Sequence, residues 1–276
     1  MKFVFFALLA ALAGCARAGS VSNGPVPQAH RIVTLMPSFA EDVCALGARD
    51  RLVAVSEYSG DVPCARGLPE VNNFSSVNTE KIVSLHADRV FALPEQAGMA
   101  QGLKRAGIPV TFLPDDGYND IFTDLQAIGD ATGRSGAAAQ LIAHLKTQTA
   151  RLRETERYRK TPSVLFVEQA APLWTIGPKS YIATLIGLAG GRIATASLRT
   201  SYAQFSDEAL LRADPDVIVA TADSRIDQVL GREPWRTLRA VRAHRVFVAA
   251  DSNMLVRPSP RYVKGLQWLI ARFSSL

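Results

Sequence analysis

Histidine and cysteine are both scarce in this chain of 276 residues, which has four of the first and three of the second. Proteins that hold a bare metal ion bring several histidines and carboxylates together on it. His30 precedes the first predicted strand, His86 and His244 fall in helix-to-strand turns, and His144 falls on a long helix. None of them follows a strand into a loop, so the sequence predicts no metal site.

Enzyme signatures are also missing. The chain has neither a G-x-S-x-G nucleophile motif nor a G-x-x-x-x-G-K-[ST] phosphate loop. A glycine-rich run at residues 187–192 follows a predicted helix, where it is typical of a helix C-cap. No Cys–His or paired-carboxylate arrangement falls on the loops that should line a cleft. The sequence therefore predicts that the protein is not an enzyme.

Concentrated charge of one sign and long hydrophobic runs are absent too. The formal net charge is +6, but the arginines are dispersed and no basic block is interleaved with aromatic residues. This distribution predicts no nucleic-acid partner. No segment beyond the first residues is apolar enough to cross a membrane.

The first residues have the pattern of a secretory signal. Lys2 precedes an apolar run that is too short to span a bilayer, and the run ends in LAGC, which resembles the bacterial lipobox. We expect residues 1–14 to be a signal peptide and Cys15 to carry lipid at the start of a tether over residues 15–30. The alternative is cleavage near Ala18 with loss of Cys15. The expected location is the periplasm or cell envelope, with a lipid anchor in the membrane.

Two further cysteines, Cys44 and Cys64, remain in the mature chain. An oxidising compartment permits a disulfide between them. The sequence leaves open whether their Cα atoms come close enough to pair.

The chain contains an internal repeat. Residues 80–92 align with residues 208–220, and each stretch is a short amphipathic helix, a turn ending in Asp88 or Asp216, and an apolar strand. Each is followed by a second helix and strand and is preceded by a strand, a loop and a helix. Nearly continuous apolar strands alternating with helices are typical of parallel sheets covered on both faces.

The repeat predicts an α/β fold of two doubly wound parallel-sheet lobes joined by one long bridging α-helix. The N-terminal lobe is predicted over residues 31–134 and the C-terminal lobe over residues 161–276. The bridging helix is predicted over residues 135–160, because apolar residues recur there on one helical face and Pro162 ends it. A helix of about 25 residues is about 38 Å long, enough to run the height of a domain.

Several motifs resemble the helical-backbone (class III) periplasmic substrate-binding proteins of ABC importers, which deliver vitamin B12, haem and iron chelates. The resemblance covers nearly the whole mature chain. It rests on the order and spacing of RIVTLMPS at 31–38 with Glu41 after it, LVAVSEYS at 52–59, LPEV at 68–71, NTEKIVSLHAD at 78–88 and RPSPR at 257–261.

The resemblance, together with the rule that ligands bind beyond the carboxyl ends of parallel strands, predicts an interlobe ligand site. We expect it to be lined by post-strand loops that carry Ser38, Tyr58, Phe74, Trp174, Tyr202 and Arg257. The four aromatic residues match positions that face the corrinoid in vitamin B12-binding members, and Arg257 matches a basic residue there. Leu93, Met254 and Asn253 depart from that pattern.

These matches imply a corrinoid ligand. The alternatives are haem or a ferric siderophore in the same transport class, and a lipoprotein scaffold or an enzyme with a cleft in another class.

The resemblance also implies that Glu80 and Glu208, equivalent in the repeat, dock the protein as a monomer on the permease dimer of an importer driven by its ATPase. The competing explanation is that both acids only stabilise helix N-termini.

Overall fold

The computed structural model describes residues 28–73, 75–155 and 161–276. The predicted signal peptide, Cys15, most of the tether and Phe74 lie outside the described residues. In the part of the chain that is described, no helix is long and apolar enough to cross a membrane.

The N-terminal lobe contains a five-stranded sheet in which all pairings are parallel, with the order β3-β2-β1-β4-β5. The first, fourth and second strands are largely buried, as strands covered on both faces should be. The elements are β1 (Ile32–Thr34), α1 (Pro37–Ala45), β2 (Leu52–Ser56), β3 (Glu70–Asn72), α2 (Thr79–Ser84), β4 (Arg89–Ala92), α3 (Gln101–Arg105), β5 (Val110–Phe112) and α4 (Asp120–Ala131).

The long helix α5 (Ser135–Thr155) follows. It begins at the predicted residue, and residues 156–160 of the predicted span lie outside the described residues. Leu145 is buried in the core, and Leu141, Ile142 and Leu152 pack against it, so the predicted apolar face is confirmed. The helix packs against α4 on one side and against the C-terminal helix on the other, which joins the two lobes.

The C-terminal lobe contains a four-stranded parallel sheet of order β12-β11-β6-β9. Its elements are β6 (Ser163–Val167), β7 (Gln169–Ala170), β8 (Leu173–Ile176), α6 (Tyr181–Leu188), β9 (Arg192–Ile193), β10 (Tyr202–Gln204), α7 (Asp207–Ala213), β11 (Val217–Thr221), α8 (Arg239–Arg242), β12 (Val246–Ala249), α9 (Asn253–Val256) and α10 (Tyr262–Phe273).

A separate antiparallel sheet of order β10-β8-β7 accompanies the parallel one in this lobe. Trp174 lies in β8 and Tyr202 begins β10, so the prediction that both lie on loops is wrong. Ladder hydrogen bonds hold the two backbones, and the aromatic side chains therefore stand on a rigid surface.

The internal repeat is visible in the hydrogen bonds of the two sheets. Asp88 accepts a hydrogen bond from the Arg31 amide at 3.0 Å, and Asp216 accepts one from the Ser163 amide at 2.9 Å. In return, the amide of each aspartate donates to the carbonyl of the same strand residue at 2.9 Å. Asp88 thus fixes Arg31 just before β1, and Asp216 fixes Ser163 at the start of β6, an interior strand of its sheet.

An aromatic cluster joins the lobes beside α5. Tyr262 of α10 meets Tyr118 and Phe122 edge to face, with ring centroids 5.2 and 6.2 Å away. Its hydroxyl lies 2.8 Å from the Thr149 hydroxyl of α5. The apolar core is continuous through this region and includes buried residues of both lobes.

Cys44 and Cys64 form a disulfide, with their Cα atoms 6.3 Å apart. It ties the C-terminal part of α1 to the short turn that follows β2. The pairing that the sequence left open is therefore made.

Candidate functional site

A cavity of about 420 Å³ lies at the carboxyl edge of the N-terminal sheet. Segments that follow all five strands of that sheet line it, and a short stretch after α9 of the other lobe completes it. This is the position that parallel-sheet topology predicts for a ligand site. The lining residues are Leu35, Met36, Pro37, Ser38, Tyr58, Asn72, Asn73, Leu93, Glu95, Gln96, Met99, Asp115, Val256, Arg257 and Pro258.

The cavity surface is largely apolar, although eight of the fifteen lining residues carry polar or charged side chains. Ser38 donates a hydrogen bond to Asp115 at 3.3 Å. The side-chain nitrogen of Asn72 donates a hydrogen bond to the Leu35 carbonyl at 3.0 Å. The side-chain oxygen of Asn72 is buried and has no hydrogen-bond partner. A buried unpaired acceptor is costly unless a ligand or water satisfies it.

Arg257 is buried, and its charge is already neutralised within the protein. Its guanidinium donates to Glu41 at 2.6 Å and to both oxygens of Asp61 at 3.0 and 3.1 Å. Glu41 belongs to α1 of the N-terminal lobe, whereas Arg257 follows α9 of the C-terminal lobe. Arg257, which was expected to line the ligand site, therefore forms an ion pair between the lobes.

A second arginine extends this ion-pair cluster. Arg261 lies 2.8 Å from Glu41 and 3.1 Å from Asp61, and it also contacts Asp251. Ser259 donates to Glu41 as well. Burial opposes ionisation of Asp61, but hydrogen bonds and charge from the two arginines hold its pKa below the ordinary value.

Apart from Arg257, the charged residues that line the cavity are acidic. Burial raises the pKa of Asp115 to about 6, and the negative charges of nearby acids raise it further, whereas the hydrogen bond from Ser38 lowers it. Glu95 lines the same cavity and is exposed. Glu168, at the carboxyl end of β6 in the other lobe, also has a pKa raised by burial. Arg257 is the cation of the described lining, and its ion pairs are with Glu41 and Asp61 instead of Glu95 or Asp115.

Three of the predicted aromatic residues are partly exposed instead of packed in the core. Tyr58 is 39%, Trp174 37% and Tyr202 39% exposed. Burial and the nearby charges of Glu168 and Asp115 raise the pKa of Tyr202 far above its usual value.

The predicted residues thus divide into two groups. Ser38, Tyr58 and Arg257 line the cavity together. Trp174 and Tyr202 stand on the antiparallel sheet of the other lobe, and Phe74 lies outside the described residues. Sequence reasoning missed Asn72 and Asp115, although each ends or follows a strand at the ligand-binding edge, which was the signal available.

The two glutamates expected to dock the transporter are both exposed, one in each lobe, in the first turns of α2 and α7. The Asn78 side chain caps α2 and the Ser206 side chain caps α7, each accepting from the backbone amide three residues later. Among the described residues, no group of three or more histidines, cysteines and acids is placed to hold a metal ion.

Two parallel-sheet lobes, a joining helix and a cleft lined from strand ends define a substrate-binding protein of the periplasmic type. Residues 32–252 match the periplasmic binding protein family, and this chain belongs to that family. The resemblance drawn from the sequence is confirmed. Members of the family bind substrates for transport.

Related proteins agree with this assignment. An uncharacterized ABC transporter substrate-binding lipoprotein of Bacillus subtilis is 30% identical over 254 residues, which cover 87% of this chain and 78% of that protein. A vitamin B12-binding protein of Vibrio parahaemolyticus is 25% identical over 262 residues, 93% of each chain.

Solved structures share the fold. The periplasmic vitamin B12-binding protein of Vibrio cholerae superposes with a TM-score of 0.77 at 24% identity, covering 90% of this chain and 97% of that one. A periplasmic haem-binding protein in complex with two haems gives a TM-score of 0.81 at 23% identity, covering 89% and 98%. The two-lobed architecture is therefore that of the class III binding proteins.

Proposed function

We propose that this protein captures a corrinoid in the interlobe cleft and delivers it to an ABC importer in the membrane. The observation that supports this most is the exposure of three aromatic residues, with Tyr58 in the cavity lined from the strand ends and Trp174 and Tyr202 on the antiparallel sheet of the other lobe. The cavity volume of about 420 Å³ lies within the range of about 300–1,000 Å³ that is usual for ligand sites. Relatives named for vitamin B12 or cobalamin binding support the same ligand class.

The aromatic residues suit a large, flat ligand. An aromatic ring offers rigid apolar contact, and tyrosine and tryptophan add a polar atom at the edge. Tyr58 stands on the N-terminal lobe, whereas Trp174 and Tyr202 stand on the C-terminal lobe. A flat macrocycle between the lobes would thus contact rings on both sides.

The charge of the cleft favours a corrinoid over haem. Haem carries two propionate carboxylates, and these would meet Glu95 and Asp115, while Arg257 is held by Glu41 and Asp61. Like charges at close range disfavour binding. A corrinoid instead carries amide side chains, which can donate to the Asp115 carboxylate in the cavity wall.

Haem or a ferric siderophore is the second candidate. Two tyrosines, Tyr58 and Tyr202, stand on opposite lobes, and a tyrosine oxygen can ligate ferric iron. The acidic wall counts against an anionic complex but not against a neutral or cationic ferric chelate.

Delivery would use the lipid anchor expected at Cys15 and the exposed acids Glu80 and Glu208. A two-lobed protein with one acid on each lobe suits a two-fold symmetric permease, because each lobe can meet one subunit.

A variant series tests the site. Trp174→Ala should weaken cyanocobalamin binding about tenfold, because an aromatic contact surface is lost. Phe112→Ala is the control, since Phe112 is 41% exposed on the edge strand β5 and is not among the aromatic residues proposed to face the ligand. Titration calorimetry that finds equal affinity for wild type and the Trp174 variant would remove Trp174 from the site.

A further inference from the structure

Two exposed aliphatic residues occupy equivalent positions in the two lobes. Val83 in α2 is 43% exposed and Leu211 in α7 is 48% exposed. They stand at the same offset in the internal repeat as Glu80 and Glu208. Exposed apolar side chains are ordinary on protein surfaces, and the edge-strand pair Phe112 and Val248 is equally symmetric. What distinguishes Val83 and Leu211 is the exposed acid three residues before each of them.

The local structure around the two residues is the same in detail. Ile82 and Leu210, the residues just before them, are both 0% exposed and hold each helix to its sheet. The Asn78 side chain accepts from the Lys81 amide at 2.9 Å, and the Ser206 side chain accepts from the Ala209 amide at 3.2 Å. The side chain that follows the buried residue therefore points outward in both lobes.

Each exposed aliphatic residue shares a helix face with an exposed acid. Val83 follows Glu80 by three residues, and Leu211 follows Glu208 by three, a spacing that places both side chains on one side of a helix. Each lobe thus presents the same two-part patch of one carboxylate and one apolar side chain.

We propose that Val83 and Leu211 are the apolar anchors of a docking surface for a two-fold symmetric membrane partner. Each partner subunit would present an apolar pocket with a basic group about one helical turn away. This inference rests on the delivery role proposed above and adds the contact that supplies affinity. Charged residues at an interface mainly set orientation and association rate, whereas buried apolar anchors carry most of the binding energy.

A second copy of this chain is a poorer occupant. Each patch carries an exposed glutamate, beside Lys81 in one lobe and Arg212 in the other, so two copies joined through them would bring Glu80 and Glu208 close to like charges. A basic partner meets both acids favourably. Because the patches repeat across two lobes of one chain, the partner surface must itself repeat, as in a symmetric dimer.

Direct binding to the importer tests the proposal without knowledge of the ligand. The ligand-free protein is titrated against the permease–ATPase complex of its host in lipid nanodiscs. Val83→Ser combined with Leu211→Ser should raise the half-maximal concentration about tenfold or more. Exchanging the two residues, with Val83→Leu and Leu211→Val, should keep affinity within about threefold because both patches remain apolar.

The matched control is Phe112→Ser combined with Val248→Ser. These residues are 41% and 47% exposed, and they occupy equivalent positions on the edge strands β5 and β12, opposite Ala92 and Ala220. The control should bind the importer like wild type. Circular dichroism melting of every variant establishes that each is folded.

The outcomes separate the two proposals. If the Val83→Ser/Leu211→Ser variant binds the importer like wild type, the anchor proposal is overturned and the delivery role stays in place. The same holds if the control variant loses as much affinity. Failure of wild type to bind the importer overturns delivery itself and the anchors with it. Sedimentation that shows a dimer of wild type, lost only in the Val83/Leu211 variant, would make the surface a self-association interface and overturn the proposal.

Discussion

Arg257 and Glu41 form an ion pair of 2.6 Å that links the two lobes, and each side chain is at most a tenth exposed. Arg261 and Asp61 extend this pair into a cluster. A buried charge that loses its partner destabilises a protein strongly. The cluster therefore fixes the position of the lobes at the edge of the cavity that Arg257 lines.

Glu41→Gln should lower the free energy of unfolding by about 3 kcal/mol, because two arginines then share only the partly exposed Asp61 and Asp251. For a chain of this size the melting temperature should fall by roughly 6–12 °C. Glu233→Gln is the control, since its pair with Arg236 is exposed and contributes under about 1 kcal/mol. Thermal denaturation with equal effects for the two variants would contradict a stabilising interlobe cluster.

The disulfide supports the same cluster, because Glu41 and Asp61 each lie three residues before a bridged cysteine. Replacing Cys44 and Cys64 by serine should reduce the free energy of unfolding by about 3 kcal/mol, the amount expected for closing a loop of this length. Urea titration measures this change in the free energy of unfolding. Wild type in reducing agent should match the double variant, and a change in the variant well below 1 kcal/mol would be inconsistent with a structural bridge.

Asp124 makes stability depend on pH. Burial and the charges of Asp120 and Asp115 raise its pKa to about 8, well above that of an unfolded aspartate at about 3.9. The folded protein therefore binds this proton more tightly. Its contribution to stability is complete below about pH 4 and is lost as pH rises to 8.

Asp124→Asn should remove this loss of stability at high pH. The variant should melt several degrees above wild type at pH 8.5, with a smaller gain at pH 5. Asp130→Asn, on the exposed side of α4, is the control. Melting curves of the Asp124 variant that keep the slope of wild type between pH 5 and 8.5 would exclude Asp124 as the titrating group.

Glu80→Gln with Glu208→Gln separates docking from helix capping. If the acids pair with basic groups of the permease, uptake into proteoliposomes should fall several-fold at limiting binding protein while ligand affinity stays normal. If they only stabilise helix N-termini, the melting temperature should drop slightly and uptake should be unchanged. Unimpaired uptake would remove both acids from the interface.

Much of the fold could be predicted from the sequence because its signals are local. The repeat, Asp88 and Asp216, and the start of α5 are all encoded in short patterns of apolar residues and turns. The antiparallel sheet was missed because β7, β8 and β10 have only two to four residues each, too few to show alternation.

The ion-pair cluster could not be predicted because its partners are 216 residues apart in the chain. Arg257 lines the cavity, but no local pattern indicates that Glu41 neutralises it. Which charged residues pair with one another depends on the tertiary fold and not on the local sequence. The pairing of Arg257 leaves the expected corrinoid unchanged and adds an argument against an anionic ligand.

Calorimetric titration of the purified protein with cyanocobalamin, cyanocobinamide, haemin and a ferric hydroxamate tests the central claim most directly. We expect a corrinoid to bind with a dissociation constant below 1 μM, which corresponds to more than about 8 kcal/mol, and haemin to bind at least tenfold more weakly because of Glu95 and Asp115. Tight binding of haemin or the ferric chelate, with no heat from either corrinoid, would contradict the account.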